Sequence, residues 1–440
     1  MNNIIKTLLL ILLILIVLFW DDFYSLAVVY FYFCIGLLII DIYVTKTIKL
    51  IHVWNGAFVY IILSEVFLYP ELEVNKNALF AIQYLIIANN MILLGYYSRR
   101  LKKVKVTQIN AHNVTASKSA VAILVLLVGF FVVIMLPTAL KSFALGREAA
   151  NENESGFVFS SVVNAMGFVL PSVIAFYFLK IRKMNIIFPI LMSSPVFIIL
   201  FMSGSRFPLL FSVVGFLITS RNLINANNKS VSKVSFKSFM IAAVFSGLLL
   251  FVSNKMKDFR SVNTQYKDIK VHLAHNDLPT KASQYFSEEG IVDMTILMFN
   301  HFSHEDYLYG KSTLFITYFW VPRQIWKDKP TMLGNWFIRM YRAGFSDGHS
   351  ASFGFTGDLY ADFGYFSLFF IFFIGRGLKA AERYKDVVLK SGNYNLILGA
   401  MLFPFIFFFV RSPITSSMTF LGILAFYFLI KRIIFKEVKI

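Results

Sequence analysis

Arginines and two acid–base groups are the residues whose types and spacing could do chemistry. Arg206 ends the tight run Ser203-Gly204-Ser205-Arg206, and Arg323 lies in Val321-Pro322-Arg323-Gln324-Ile325-Trp326-Lys327-Asp328-Lys329-Pro330. Arg260 and Arg342 stand on either side of that second run, and Lys329 adds a further cation within it. A guanidinium stays charged at every physiological pH and can grip phosphate oxygens through two parallel hydrogen bonds. His349, in Asp347-Gly348-His349-Ser350, and Asp358, in Gly357-Asp358-Leu359-Tyr360, are able to take a proton from a hydroxyl or to orient one. Trp326 can serve as a platform for a sugar ring or as an anchor at a membrane interface. Each has a plain alternative: arginines near an interface reach for lipid headgroups, and loop acids and imidazoles hold turns. The run His301-x-x-His304-Glu305-Asp306 has metal-ligand residue types, but its order differs from the His-Glu-x-x-His zinc helix, and no metal is expected.

The elements that must carry these residues are membrane spans. Hydrophobic residues make up 58% of the 440 and charged residues 15%, with a mean hydropathy of +0.68. A soluble domain so apolar would lack a polar surface. A crossing takes about 20 mostly apolar residues. Such runs fall at 4–20, 23–44, 51–69, 78–97, 119–137, 157–179, 186–202, 207–219, 239–252, 363–375, 396–410 and 418–430. The expected fold class is therefore an all-α polytopic membrane protein of about 12 transmembrane helices with a large extracytoplasmic loop. The first run lacks a small-residue cleavage signature and reads as an uncleaved span. The single cysteine, Cys34, excludes a disulfide framework or a cysteine-ligated metal within one chain.

Charge sets the orientation. Alternate connections carry Lys46 and Lys49, then Arg99, Arg100, Lys102, Lys103 and Lys105, then Lys180, Arg182 and Lys183, and later Arg376, Lys379 and Arg383. The connections between them carry Asp21 and Asp22, Glu71 and Glu73, then Glu148, Glu152 and Glu154. Basic short loops stay in the cytoplasm, so both termini are expected inside. The net charge of +18 then belongs to inner loops beside anionic lipid and argues against nucleic acid as a partner. Glu65 falls near an outer helix end, where it can face a cavity. Asp41 falls near the inner interface and is expected to reach water.

Three regions follow: 1–253 with nine spans and short loops, 254–362 as one large outer loop, and 363–440 with three spans and a cytoplasmic tail. Connections so long are functional or disordered, and the tryptophans and tyrosines of this one argue for folded structure. The segments 291–302 and 314–321 read as amphipathic pieces lying on the membrane. Arg206, Arg260, Arg323 and Arg342 would all stand near the outer leaflet, where they could hold a lipid diphosphate.

These residues resemble Wzy-type oligosaccharide repeat-unit polymerases of O-antigen and capsule synthesis. The resemblance rests on the Ser-Gly-Ser-Arg turn, on Gly310-Lys311-Ser312, and on Pro322-Arg323-x-x-Trp326-x-x-Lys329-Pro330. It extends to the ten residues between Arg323 and Gly334, and to Gly357-Asp358-Leu359-Tyr360 with Phe363-Gly364. Asp358 departs from the glutamate often found there, which shortens the carboxylate's reach. The resemblance implies a GT-C-like architecture in the bacterial cytoplasmic (inner) membrane, with its active site on the outer face. It also implies a glycosyltransferase that moves a growing glycan from undecaprenyl diphosphate onto an incoming lipid-linked unit. Arg206 and Arg323 would hold the diphosphate, helped by Arg260, Lys329 and Arg342; Trp326 would face sugar, and His349 or Asp358 would serve the acceptor. No cofactor is implied; the partners are the undecaprenyl-diphosphate-linked oligosaccharide, membrane lipids and a chain-length regulator. A lipid-linked oligosaccharide flippase and an O-antigen ligase are the alternatives. Transporters built from two halves usually carry an internal repeat, and none is visible here.

Overall fold

The computed structural model describes residues 3–98, 113–117, 119–145, 157–203, 206–227, 290–318, 321, 325–326, 328–330, 332–341, 352–391, 393–414 and 417–438. Every expected apolar run among them falls on a helix, while 239–252 lies outside the described residues. Among the described residues, seven helical stretches are long and apolar enough to cross a membrane: Phe23–Thr45, Leu50–Leu68, Ala78–Ser98, Ala120–Phe143, Val163–Ile181, Gly354–Leu389 and Ser417–Ile434. Shorter apolar helices accompany them. The protein is a polytopic helical membrane protein, with one short ladder pairing β1 (Asn113–Ala116) antiparallel to β2 (Phe435–Val438).

The chain divides into two compact units. The first comprises Met1–Lys103, Ile269–Glu382 and Ile406–Ser417. It holds α1 (Asn3–Leu18), α2 (Phe23–Thr45), α3 (Leu50–Leu68) and α4 (Ala78–Ser98). The second comprises Val104–Asp268, Arg383–Phe405 and Met418–Ile440. It holds α5 (Ala120–Leu145), α6 (Phe157–Phe176), α7 (Ile187–Met202) and α8 (Arg206–Asn227). The first unit continues with α9 (Ile291–Phe302), α10 (Lys311–Tyr318), α11 (Leu333–Tyr341) and α12 (Gly354–Phe363). Next, α13 (Ser367–Ser391) and α14 (Leu396–Arg411) each give part of their length to both units, and α15 (Ser417–Ile434) closes the second.

Among lipid tails, burial of apolar surface no longer drives helices together, so close packing and interhelical hydrogen bonds must. A polar ladder does this between α2, α3 and α4. Tyr30 donates to Asn90 at 2.8 Å, Asn89 donates to the Tyr30 hydroxyl at 2.8 Å, and the Trp54 indole donates to Asn89 at 2.8 Å. Asn55 reaches the Cys34 carbonyl at 2.9 Å. Asp41 does not reach water: it is 4% exposed and lies 2.8 Å from Lys6, 3.1 Å from His52 and 3.7 Å from Lys49, with the Tyr97 hydroxyl donating at 3.2 Å. Burial forced this, because helix packing removes water and the carboxylate must then collect donors.

The crossing of α4 and α13 is tighter still. A Cβ on Gly95 would stand 2.0 Å from the Phe372 carbonyl oxygen, and one on Gly375 would stand 2.2 Å from that of Ile92. Only glycine permits this backbone approach.

Helix α9 is enclosed rather than laid on a surface: Ile291 through Phe299 and Phe302 are all buried. Isoleucine, valine, methionine, leucine and phenylalanine surround its axis and leave no broad polar face for water. Glu65, on α3 past a π-helical turn at Val59–Leu63, accepts the Val292 and Asp293 amides at 3.0 Å each. Those amides have no partner inside their own helix. The Glu65 carboxylate also lies within electrostatic reach of Arg411.

In the second unit, α6 and α8 pack closely, with Phe168 stacked on Phe211 at 5.0 Å and Ser212 donating to the Gly167 carbonyl at 2.9 Å. Ser142 donates to the Ser203 carbonyl at 3.0 Å, which ties the end of α5 to the end of α7 beside Arg206.

Two predictions follow from this packing. Gly95→Leu should lower thermal stability in detergent by about 3 kcal/mol or abolish the folded fraction, whereas Gly377→Ala, with open space at its Cβ, should not. Size-exclusion profiles of fluorescently tagged protein read both. Glu65→Ala should cost roughly 2–5 kcal/mol, because it strands two buried amides; Glu65→Gln, which keeps an acceptor, should cost less.

Candidate functional site

Two motifs that the sequence presents 50 residues apart form one structure in the first unit. Asp362, near the end of α12, accepts the Ser312 amide at 2.9 Å, the Thr313 amide at 2.7 Å and the Thr313 hydroxyl at 2.5 Å. It therefore caps the start of α10, whose first amides lack intrahelical partners. The Leu308 amide donates to the Ala361 carbonyl at 2.9 Å and pins the connection between α9 and α10 to the same helix. Gly310-Lys311-Ser312 and Gly357–Gly364 are thus neighbours, not separate signals.

Asp358 precedes Asp362 by one helical turn and shares its face of α12. It is 1% exposed. Its Oδ2 accepts the Ile414 amide at 2.7 Å, just past the end of α14. Its Oδ1 has no hydrogen-bond partner among the described residues. One oxygen is committed to position, and the other is open to a hydroxyl proton or a donor. Nearby, Ser352 donates to the Arg411 carbonyl, so the end of α14 is held by a second bond besides that of Asp358.

The end of the stretch expected as one large outer loop is helix α12, buried from Gly354 through Asp362. It is helical because Phe355, Leu359 and Tyr360 find apolar partners. Phe355 stacks on Phe409 at 4.9 Å and meets Trp54 at 5.3 Å, while Tyr360 stacks on Phe299 of α9 at 4.2 Å. Tyr84 of α4 donates to the Thr356 carbonyl at 2.8 Å and shares a hydrogen bond with Ser367 at 2.9 Å. Tyr307 packs edge-on to Tyr360 at 5.8 Å.

The other expected residues are placed unevenly. Lys329 is buried, donates to the Val321 carbonyl at 3.0 Å and lies 5.2 Å from the Phe315 ring centre. Trp326 is half-exposed, its ring 5.2 Å from that of Tyr318. Arg206 begins α8, in the second unit, and its side chain lies outside the described residues. Arg260, Arg323, Arg342 and His349 also lie outside them. His301 is packed against Trp336 and Phe337 at 5.6 and 5.4 Å, and burial holds its pKa below the ordinary value against the pull of Glu305. His304, Glu305 and Asp306 face solvent, and no three metal-ligating side chains converge among the described residues.

Arg411 and Asp362 belong to this region, yet the sequence reading did not single them out. Arg411 closes an apolar run before Ser412-Pro413, a cation at an end where the other connections carry acids. Asp362 repeats Asp358 at helical spacing. Both signals were present. The Glu65 contact with α9 spans 227 residues and left no local trace.

Among known proteins, no curated protein and no solved structure matches the chain. A family model described as O-antigen polysaccharide polymerase Wzy matches residues 1–438, essentially the whole length. With its many apolar helices and the buried acid motif of α12, the chain belongs to the O-antigen polysaccharide polymerase Wzy family, membrane-embedded glycosyltransferase-type polymerases that act on lipid-linked oligosaccharide.

Proposed function

We propose that this chain transfers a growing glycan from undecaprenyl diphosphate onto the non-reducing sugar of an incoming lipid-linked repeat unit. The reaction takes place at the outer face of the cytoplasmic membrane, with both termini inside. The acceptor hydroxyl oxygen attacks the anomeric carbon of the donor, the carbon–oxygen bond to diphosphate breaks, and undecaprenyl diphosphate leaves with the electron pair. The hydroxyl proton goes to a carboxylate or imidazole. Asp358 Oδ1 and His349 are the groups assigned to that step, and the observation that carries it is the half-committed, buried carboxylate of Asp358.

Arg206 and Arg323 are assigned to the diphosphate, where charge accumulates as the bond breaks. Arg206 stands at the start of a helix, where free amides add to the attraction for an anion. Arg260, Lys329 and Arg342 assist. Trp326 offers its ring to a sugar. A chain-length regulator is the protein partner assigned to this activity.

Deletion of the gene followed by gel analysis of surface glycan tests this reading. Loss of the length ladder with a single repeat unit retained is expected, whereas loss of every repeat unit would point to a flippase or ligase. Complementation with Arg206→Ala or Arg323→Ala should reduce polymerisation by about 10²-fold or more, with normal amounts of protein in the membrane. Wild-type ladders from both variants would remove these arginines from the diphosphate site.

A further inference from the structure

Tyr309 is exposed and strained at once. Its φ of 48° lies in the left-handed region, which a bulky residue rarely enters. The residue is 71% exposed, so little burial offsets the strain. The turn is nevertheless held firmly. The Leu308 amide donates to the Ala361 carbonyl at 2.9 Å, the Lys311 amide to the Leu308 carbonyl at 3.1 Å, and the Leu314 amide to the Gly310 carbonyl at 2.8 Å. Below it, the Tyr307 ring packs edge-on to that of Tyr360 at 5.8 Å. Strain that the surrounding structure maintains, at a residue left largely exposed, is the pattern of a functional position.

Location indicates the ligand. Ala361, to which the turn is pinned, lies three residues past Asp358, a little under one helical turn or about 4.5 Å along the axis. A tyrosine ring presents an apolar face that covers the C–H face of a pyranose and a hydroxyl that can bond to its rim. We propose that Tyr309 is the platform of a sugar-binding subsite, stacking on a pyranose ring of the lipid-linked oligosaccharide next to the residue attacked. This rests on the polymerase reading and adds a residue to it. Because the stacked ring lies away from the bond that changes, Tyr309 acts on binding rather than on the chemical step.

The test uses the full chain in membrane vesicles, with lipid-linked repeat unit extracted from cells lacking this chain, and follows polymerisation against its concentration. Tyr309→Gly accepts the left-handed conformation without strain and removes only the ring, so the fold should be unharmed. The expected result is a KM raised about tenfold with kcat within about threefold, and recovery of KM in Tyr309→Phe. Wild-type polymerisation with an unchanged KM in Tyr309→Gly overturns the subsite alone and leaves the ring as a membrane anchor. A wild-type chain that forms no polymer overturns the polymerase reading and the subsite with it.

Discussion

A carboxylate withdrawn from water must be met by donors, and in the first unit several meet amides that no helix of their own can use. Glu65 takes two at the start of α9, Asp362 takes two at the start of α10, and Asp358 takes one just beyond α14. Each contact satisfies both sides of a costly burial, since an unpaired amide and an unpaired carboxylate are each expensive in a low-dielectric interior. The positions of α9, α10, α12 and the end of α14 depend on these contacts. Asp358 differs from the other two because one of its oxygens is left over among the described residues. The arrangement that builds the scaffold thus leaves Asp358 Oδ1 without a hydrogen bond among the described residues.

The rest of the first unit keeps that centre rigid by means suited to a membrane. Asparagines, tyrosines and a tryptophan link α2, α3 and α4, and glycines let α4 and α13 touch backbone to backbone. Apolar burial contributes less here than in water, because lipid tails solvate leucine as well as a core does. The acids of α12 sit above this frame, and the aromatic stack of Phe299, Tyr360 and Tyr84 joins them to α9 and α4.

Legibility in the sequence followed the range of the interaction. Apolar runs are local, so the reading of 186–202 coincides with helix Ile187–Met202 to within a residue, and that of 23–44 with Phe23–Thr45. The motif of Asp358 was visible for the same reason. By contrast, α9 looked like a surface helix because the sequence does not say what covers it. Asp41 looked solvated because Lys6, His52 and Tyr97 reach it from three other helices. The contact of Glu65 with α9 and the left-handed turn at Tyr309 are products of tertiary contact, which residue spacing alone does not encode.

The central claim is bond formation between lipid-linked units. Purified chain reconstituted in liposomes with a single lipid-linked repeat unit on the accessible side tests it most directly, by mass analysis of the glycans. The account predicts products of increasing length, with one polyprenyl diphosphate released for each new linkage. Repeat units that cross the bilayer while remaining single, with no diphosphate carrier released, would contradict it.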